Sequence, residues 1–199
     1  MKNTKTKLIE LSIFDIDDTL FHTTAKVAVV KDGSVVCKLS NQEFNTYTLG
    51  VGETFDFSEF RNAKKFYDES TPMEPMMCIA RQQLDRAKQF GKSKVIMVTA
   101  RANFDVKEQF LDTFRKHHFD IDSVRVERAG NINNSESIAR KKAIIIRQYL
   151  QQGTFNQVNF YDDALSNLNA FLSLQAEFPK IQFDAYLAST NGAKRVHLN

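Results

Sequence analysis

The stretch that most constrains this chain is Leu8 to Leu20, L-I-E-L-S-I-F-D-I-D-D-T-L. Leu8, Ile9, Leu11, Ile13 and Phe14 make a short β-rich apolar run, and Asp15, Asp17 and Asp18 follow at once. This pattern predicts a buried strand that ends in a carboxylate cluster. Clustered carboxylates repel one another, so a folded chain keeps them ionised only where solvent, a cation or hydrogen-bond donors are at hand. Side chains two apart in an extended chain point the same way, so Asp15 and Asp17 can face one ligand. An acidic turn closing a strand would carry the same residues, and the cluster alone does not choose between the two.

The order of the signals downstream does. Val95 to Thr99 is a second apolar run and ends in Thr99-Ala100-Arg101; Arg140-Lys141-Lys142 stands near the start of an apolar helix; Val158 to Tyr161 runs into Asp162-Asp163. The series Asp15-x-Asp17-x-Thr19-Leu20, strand-Thr99, Lys, strand-Asp162-Asp163 resembles the four ordered motifs of the haloacid dehalogenase (HAD) superfamily of phosphotransferases, over about Leu8 to Leu187. The resemblance implies an α/β fold: a Rossmannoid three-layer sandwich with a central parallel sheet, a β-hairpin flap and a small or absent cap. It implies Asp15 as the nucleophile that forms an aspartyl-phosphate. Asp17 becomes the general acid and base, while Thr99 and Lys142 hold phosphate oxygens and balance their charge. Mg2+, which prefers oxygen ligands, would be held by Asp15, Asp17 through its carbonyl, and Asp162, with Asp163 on a metal-bound water. Lys141 and Lys142 point about 100° apart on a helix, and Lys142-Ala143-Ile144-Ile145-Ile146 fits the family pattern better than a start at Lys141. Arg101 is a candidate substrate contact, with a surface salt bridge as the other reading. Asp18 stands where many members have Gly.

The remaining chain supports the same architecture. At 199 residues and +3 formal charge, 42% hydrophobic and 26% charged, it reads as one soluble domain spanning 1–199 with a mild basic bias that permits an anionic substrate. No run approaches the roughly 18 apolar residues of a membrane span, and Met1-Lys2-Asn3-Thr4-Lys5 lacks a signal-peptide core, so a cytoplasmic location is the default expectation. Cys37 and Cys78 lack CxxC spacing and read as reduced bystanders. Between the first two motifs, 21–94 holds a hairpin, Ala25–Val30 and Val35–Leu39 joined at Asp32-Gly33, which the resemblance makes the flap. Ser40 to Tyr47 follows, polar with two aromatics that line a pocket or pin the loop to the core. Helices are expected over Phe57–Tyr67, Met76–Phe90, Ala102–His117, from Ser135 or Ser137 to Leu150, and Ala164–Glu177. A closing hairpin is expected near Val196-His197-Leu198. His117 and His118 fall at a helix C-terminus, where positive charge suits the dipole.

Between Thr99 and Lys142 there is room for one helix and one strand, so a large cap has no place there. An open site suits a phosphate on something large, because a bulky substrate can itself exclude water. The layout resembles small phage-encoded and repair-associated members that include polynucleotide 3′-phosphatases. Lys2, Lys5, Lys7, Lys64, Lys65, Lys194 and Arg195 are candidates to track a nucleic-acid backbone, or an ordinary solvated surface. The expected function is a Mg2+-dependent phosphomonoester hydrolase acting on a nucleic-acid end. A 5′-nucleotidase or other small-phosphomonoester phosphatase is the alternative, and a catalytically silent binding module on the same fold is the third reading.

Overall fold

β1 (Glu10–Phe14) is buried at all five positions, as a strand covered on both faces must be. The structure is a computed structural model that describes residues 8–44 and 46–197; Lys2, Lys5, Lys7 and Leu198 lie outside them. After β1 come β2 (Phe21–His22), β3 (Val27–Lys31), β4 (Ser34–Leu39), α1 (Asn41–Phe44), β5 (Glu53–Asp56), α2 (Ala63–Glu69), β6 (Thr71–Pro72) and α3 (Glu74–Phe90). The second half holds β7 (Lys94–Thr99), α4 (Lys107–Lys116), β8 (Arg125–Arg128), α5 (Ile138–Gln152), β9 (Gln157–Asp162), α6 (Leu165–Leu172), β10 (Gln182–Ser189) and β11 (Gly192–Val196).

The main sheet has the order β11-β10-β9-β1-β7-β8 and is parallel except for β11, which pairs antiparallel with β10. Leu11, Ile13, Ile96, Val98, Val158 and Phe160 pack with residues of α5 and α6, whereas Phe14, Val95, Met97 and Tyr161 pack with those of α2, α3 and α4. Helices therefore cover both faces, giving three layers, and the carboxyl ends of β1, β7 and β9 meet at one edge of the sheet. Just below that edge Phe14, Tyr161 and Tyr186 stack across neighbouring strands at 4.5 and 4.6 Å. One row lower on the same face lie Ser12, Asn159 and Asp184, all buried. Gln157 donates to both Asn159 Oδ1 and Asp184 Oδ2 at 3.1 Å, so these polar groups are satisfied within the sheet.

The flap hairpin forms at the expected turn. Asp32 and Gly33 both take positive φ, 50° and 76°, the pair of left-handed conformations that a two-residue type I′ turn needs. A third strand, β5, adds to give the order β4-β3-β5. Val27, Val29 and Leu39 form its small core, with Phe44, Tyr47 and Phe55 packed on it. The two aromatics of the 40–47 segment thus pin the loop.

Several boundaries differ from the sequence expectation. The Phe57–Tyr67 helix is split into a 3₁₀ turn, Ser58–Arg61, and α2, because the Asn62 side chain accepts from Lys65 N at 2.8 Å and starts a new helix. α4 begins at Lys107 rather than Ala102, since residues 101–105 are drawn out into contacts with the flap side. The Ala164–Glu177 helix is α6 followed by a 3₁₀ turn. The closing hairpin is β10–β11, ending at Val196. No helix among the described residues is long and apolar enough to cross a membrane.

Candidate active site

Asp15 leaves β1 at its carboxyl end, its N–H donating to Tyr161 O of β9 at 2.9 Å. The chain then folds tightly: Leu20 N and Phe21 N both donate to Ile16 O, at 2.9 and 3.0 Å, and Asp18 takes φ +53°. Ile16, Thr19 and Leu20 are fully buried beneath this loop. It keeps Asp15 and Asp17 at the mouth while giving each its own cation.

For Asp15 that cation is Lys142. Ser137 caps α5, its hydroxyl accepting from Arg140 N, and Lys142, five residues after the cap, falls on the buried face of the helix. Lys142 is 1% exposed, and its Nζ lies 2.8 Å from both Asp15 Oδ1 and Asp162 Oδ2. Lys141 is only half-buried on the neighbouring face of the helix. Burial alone would lower the Lys142 pKa, but the two carboxylates outweigh it and hold it above its ordinary value. Burial raises Asp15 well above the usual carboxylate range; Lys142 opposes this, and Asp162, Asp163 and Asp17 add to it. Asp163 is exposed along one edge, yet the protein around it and the charge of Asp162 push it up to about 7.

Asp162 is held rigidly. Its Oδ1 accepts from Ala164 N at 2.9 Å and from Asn167 Nδ2 at 2.8 Å, while Oδ2 accepts from the Lys142 ammonium at 2.8 Å. Asn167 was not singled out from the sequence. An amide among the buried apolar residues of α6 was the available signal, since such a group needs a partner.

Thr99 ends β7, is fully buried, and its Oγ1 accepts from Arg101 N at 3.1 Å. Arg101 is no surface residue: its guanidinium is buried and holds Asp17 at 2.8 and 2.6 Å through two nitrogens. That corrects the surface salt-bridge reading. The close approach behind it depends on Gly130, where a Cβ would sit 2.5 Å from Ala100 O and 2.7 Å from Ala102 N. His117 also departs from expectation. Its ring packs on Phe21 at 5.6 Å, and burial lowers its pKa, so it is not a favoured site of positive charge.

Asp15, Asp162 and Asp163 each offer a carboxylate oxygen, all within 4.8 Å of one another. Among the described residues a single ammonium, Lys142, pairs with Asp15 and Asp162. Three acidic oxygen donors with incomplete charge compensation fit a hard divalent cation such as Mg2+.

The fold is of the HAD-like α/β class. Among solved structures, the HAD domain of the effector protein Lem4 from Legionella pneumophila aligns with a TM-score of 0.54 and 11% identity, covering 92% of this chain and 88% of that one. An inactive mutant of the same domain aligns at 0.48 with 9% identity, over 89% and 84%. The likeness is one of fold. No protein-family model and no curated protein matches the chain.

Proposed function

We propose that the chain is a Mg2+-dependent phosphomonoester hydrolase that works through an aspartyl-phosphate on Asp15. The observation that carries this reading is Lys142 Nζ at 2.8 Å from both Asp15 and Asp162, beside Asp163, at the carboxyl ends of adjacent parallel strands. Asp15 Oδ attacks phosphorus, the P–O bond to the leaving group breaks, and Asp17 delivers the proton that the departing alkoxide takes. Water then loses a proton to Asp17 and attacks the acyl phosphate, releasing orthophosphate and restoring Asp15. Lys142 and the Thr99 hydroxyl and N–H stabilise charge on the phosphoryl oxygens. Mg2+, held by Asp15 and Asp162 with Asp163 alongside, would supply charge neutralisation for two anions brought together. Asn167 and Ala164 N keep Asp162 aimed.

The substrate reading follows from access. α4, β8 and two short 3₁₀ turns lie between Thr99 and α5, which carries Lys142, and the flap is one small sheet, which supports a phosphate on a large carrier such as a nucleic-acid 3′ end. One observation favours the second reading, a small phosphomonoester such as a 5′-mononucleotide. Lys64 pairs with Asp68, Lys65 with Glu69 at 2.9 Å, and Arg195 with Asp184, and paired cations offer less charge to a backbone.

Phosphate release is to be measured with and without Mg2+ on an aryl phosphate, 3′- and 5′-mononucleotides, and 3′- and 5′-phosphorylated DNA and RNA oligonucleotides. Mg2+-dependent turnover that disappears in Asp15→Asn supports the reaction, and the preferred compound names the substrate class. A folded wild-type chain inert on every member refutes the hydrolase reading.

A further inference from the structure

The Arg101 guanidinium makes more contacts than an ion pair requires. Its Nε donates to Asp17 Oδ2 at 2.8 Å and Nη2 to Oδ1 at 2.6 Å, a planar two-point grip that fixes both the position and the rotation of the carboxylate. Its remaining nitrogen, Nη1, donates to Phe60 O at 2.7 Å. The charge is sandwiched among the rings of Phe60, Phe66 and Phe104, at 4.9, 4.8 and 5.1 Å. The same loop is tied twice more to the segment between flap and α2: Asp105 N donates to Arg61 O, and Ala63 N to Asp105 Oδ1, both at 2.9 Å.

Two separate stretches of chain thus meet on one side chain, which in turn holds Asp17. From this geometry, and resting on the acid–base role proposed for Asp17, we infer that Arg101 is a positioning residue. It orients Asp17 and makes that orientation conditional on the docking of the Phe60–Ala63 segment. With both oxygens fixed and the cation unable to slide, Asp17 can present to the reacting atoms only the face the clamp leaves open. Without the Phe60–Ala63 segment in place, the clamp loses Phe60 O and the Phe60 ring and with them part of its hold on Asp17.

The test is a double-mutant cycle on an aryl phosphate, whose good leaving group keeps residual turnover measurable without Asp17. Arg101→Ala should lower kcat about 10- to 100-fold with KM little changed, the size expected for misplacing a catalytic group by about 1 Å. Asp105→Ala, which touches no site residue, should lower kcat in the same sense by a smaller factor. Added guanidinium should restore part of the Arg101→Ala loss. In an Asp17→Ala background neither substitution should have further effect. Equal losses in both backgrounds, or a change confined to KM, would overturn the assignment and leave the hydrolase reading standing. A second readout needs no turnover: the Arg101 Nε–H signal in 15N spectra should be slow to exchange with water, and should lose that protection in Asp17→Ala, which removes both acceptor oxygens. Protection that survives Asp17→Ala overturns the inference even if the chain hydrolyses nothing.

Discussion

Lys142 shares one ammonium between two carboxylates where little of any of the three is open to water. Removing one member of a buried ion pair costs about 3–5 kcal/mol, because the charge left behind has neither partner nor solvent. Lys142→Met is therefore expected to lower the melting temperature sharply in metal-free buffer. Mg2+ should recover part of the loss by compensating Asp15, Asp162 and Asp163. Melting curves with and without Mg2+ check this, and an identical deficit in both would contradict a cation site there. His117 gives the pH counterpart. Burial lowers its pKa below the ordinary 6.5, so the unfolded chain binds that proton more tightly than the folded one. The stability of the neutral ring is fully present above about 6.5 and is lost as the pH falls below it. Melting temperatures from pH 8 to 5 should decline less in His117→Gln than in the wild type.

At the scale of elements, the loop after β7 is positioned by what packs behind it. Gly130 lets the turn after β8 approach the backbone of residues 100–102, and Gly130→Ala places a methyl carbon where Ala100 O already lies. Overpacking of this kind costs about 1–3 kcal/mol. Because the displaced loop carries Thr99 and Arg101, kcat should fall along with the melting temperature; a variant with wild-type kcat would show that this loop is not what holds the site. The same loop explains why α4 starts late. Phe104, Val106, Phe110, Leu111 and Phe114 together read as one helix, yet the Asp105 N–H that a helix from Ala102 would give to Arg101 O donates instead to Arg61 O at 2.9 Å, so the helix starts later. The flap hairpin, by contrast, was legible because Asp32-Gly33 encodes its own turn.

Across the whole molecule, stability should fall into two tiers. The main sheet is buried between two helical layers, whereas the β4-β3-β5 sheet has a small buried core of Val27, Val29 and Leu39 and, among the described residues, no further strand on β4 or β5. Its amides are expected to exchange with deuterium well before those of β1, β7 and β9, and equal protection would show a single cooperative unit. The sequence by itself determined the alternation of strands and helices and the apolar runs that end in Asp15, Thr99 and Asp162. These are local: apolar period, turn residues and a carboxylate at a strand end all act within a few residues. Only the tertiary structure decided which lysine reaches Asp15, that Arg101 clamps Asp17, that Asn167 holds Asp162 and that a third strand completes the flap. The lysine and arginine contacts are set by partners brought together across the fold, 84 residues apart for Arg101 and Asp17 and 20 for Lys142 and Asp162, and no local periodicity encodes such a meeting, whereas Asn167 lies only 5 residues from Asp162 and needed the fold to show which group it meets.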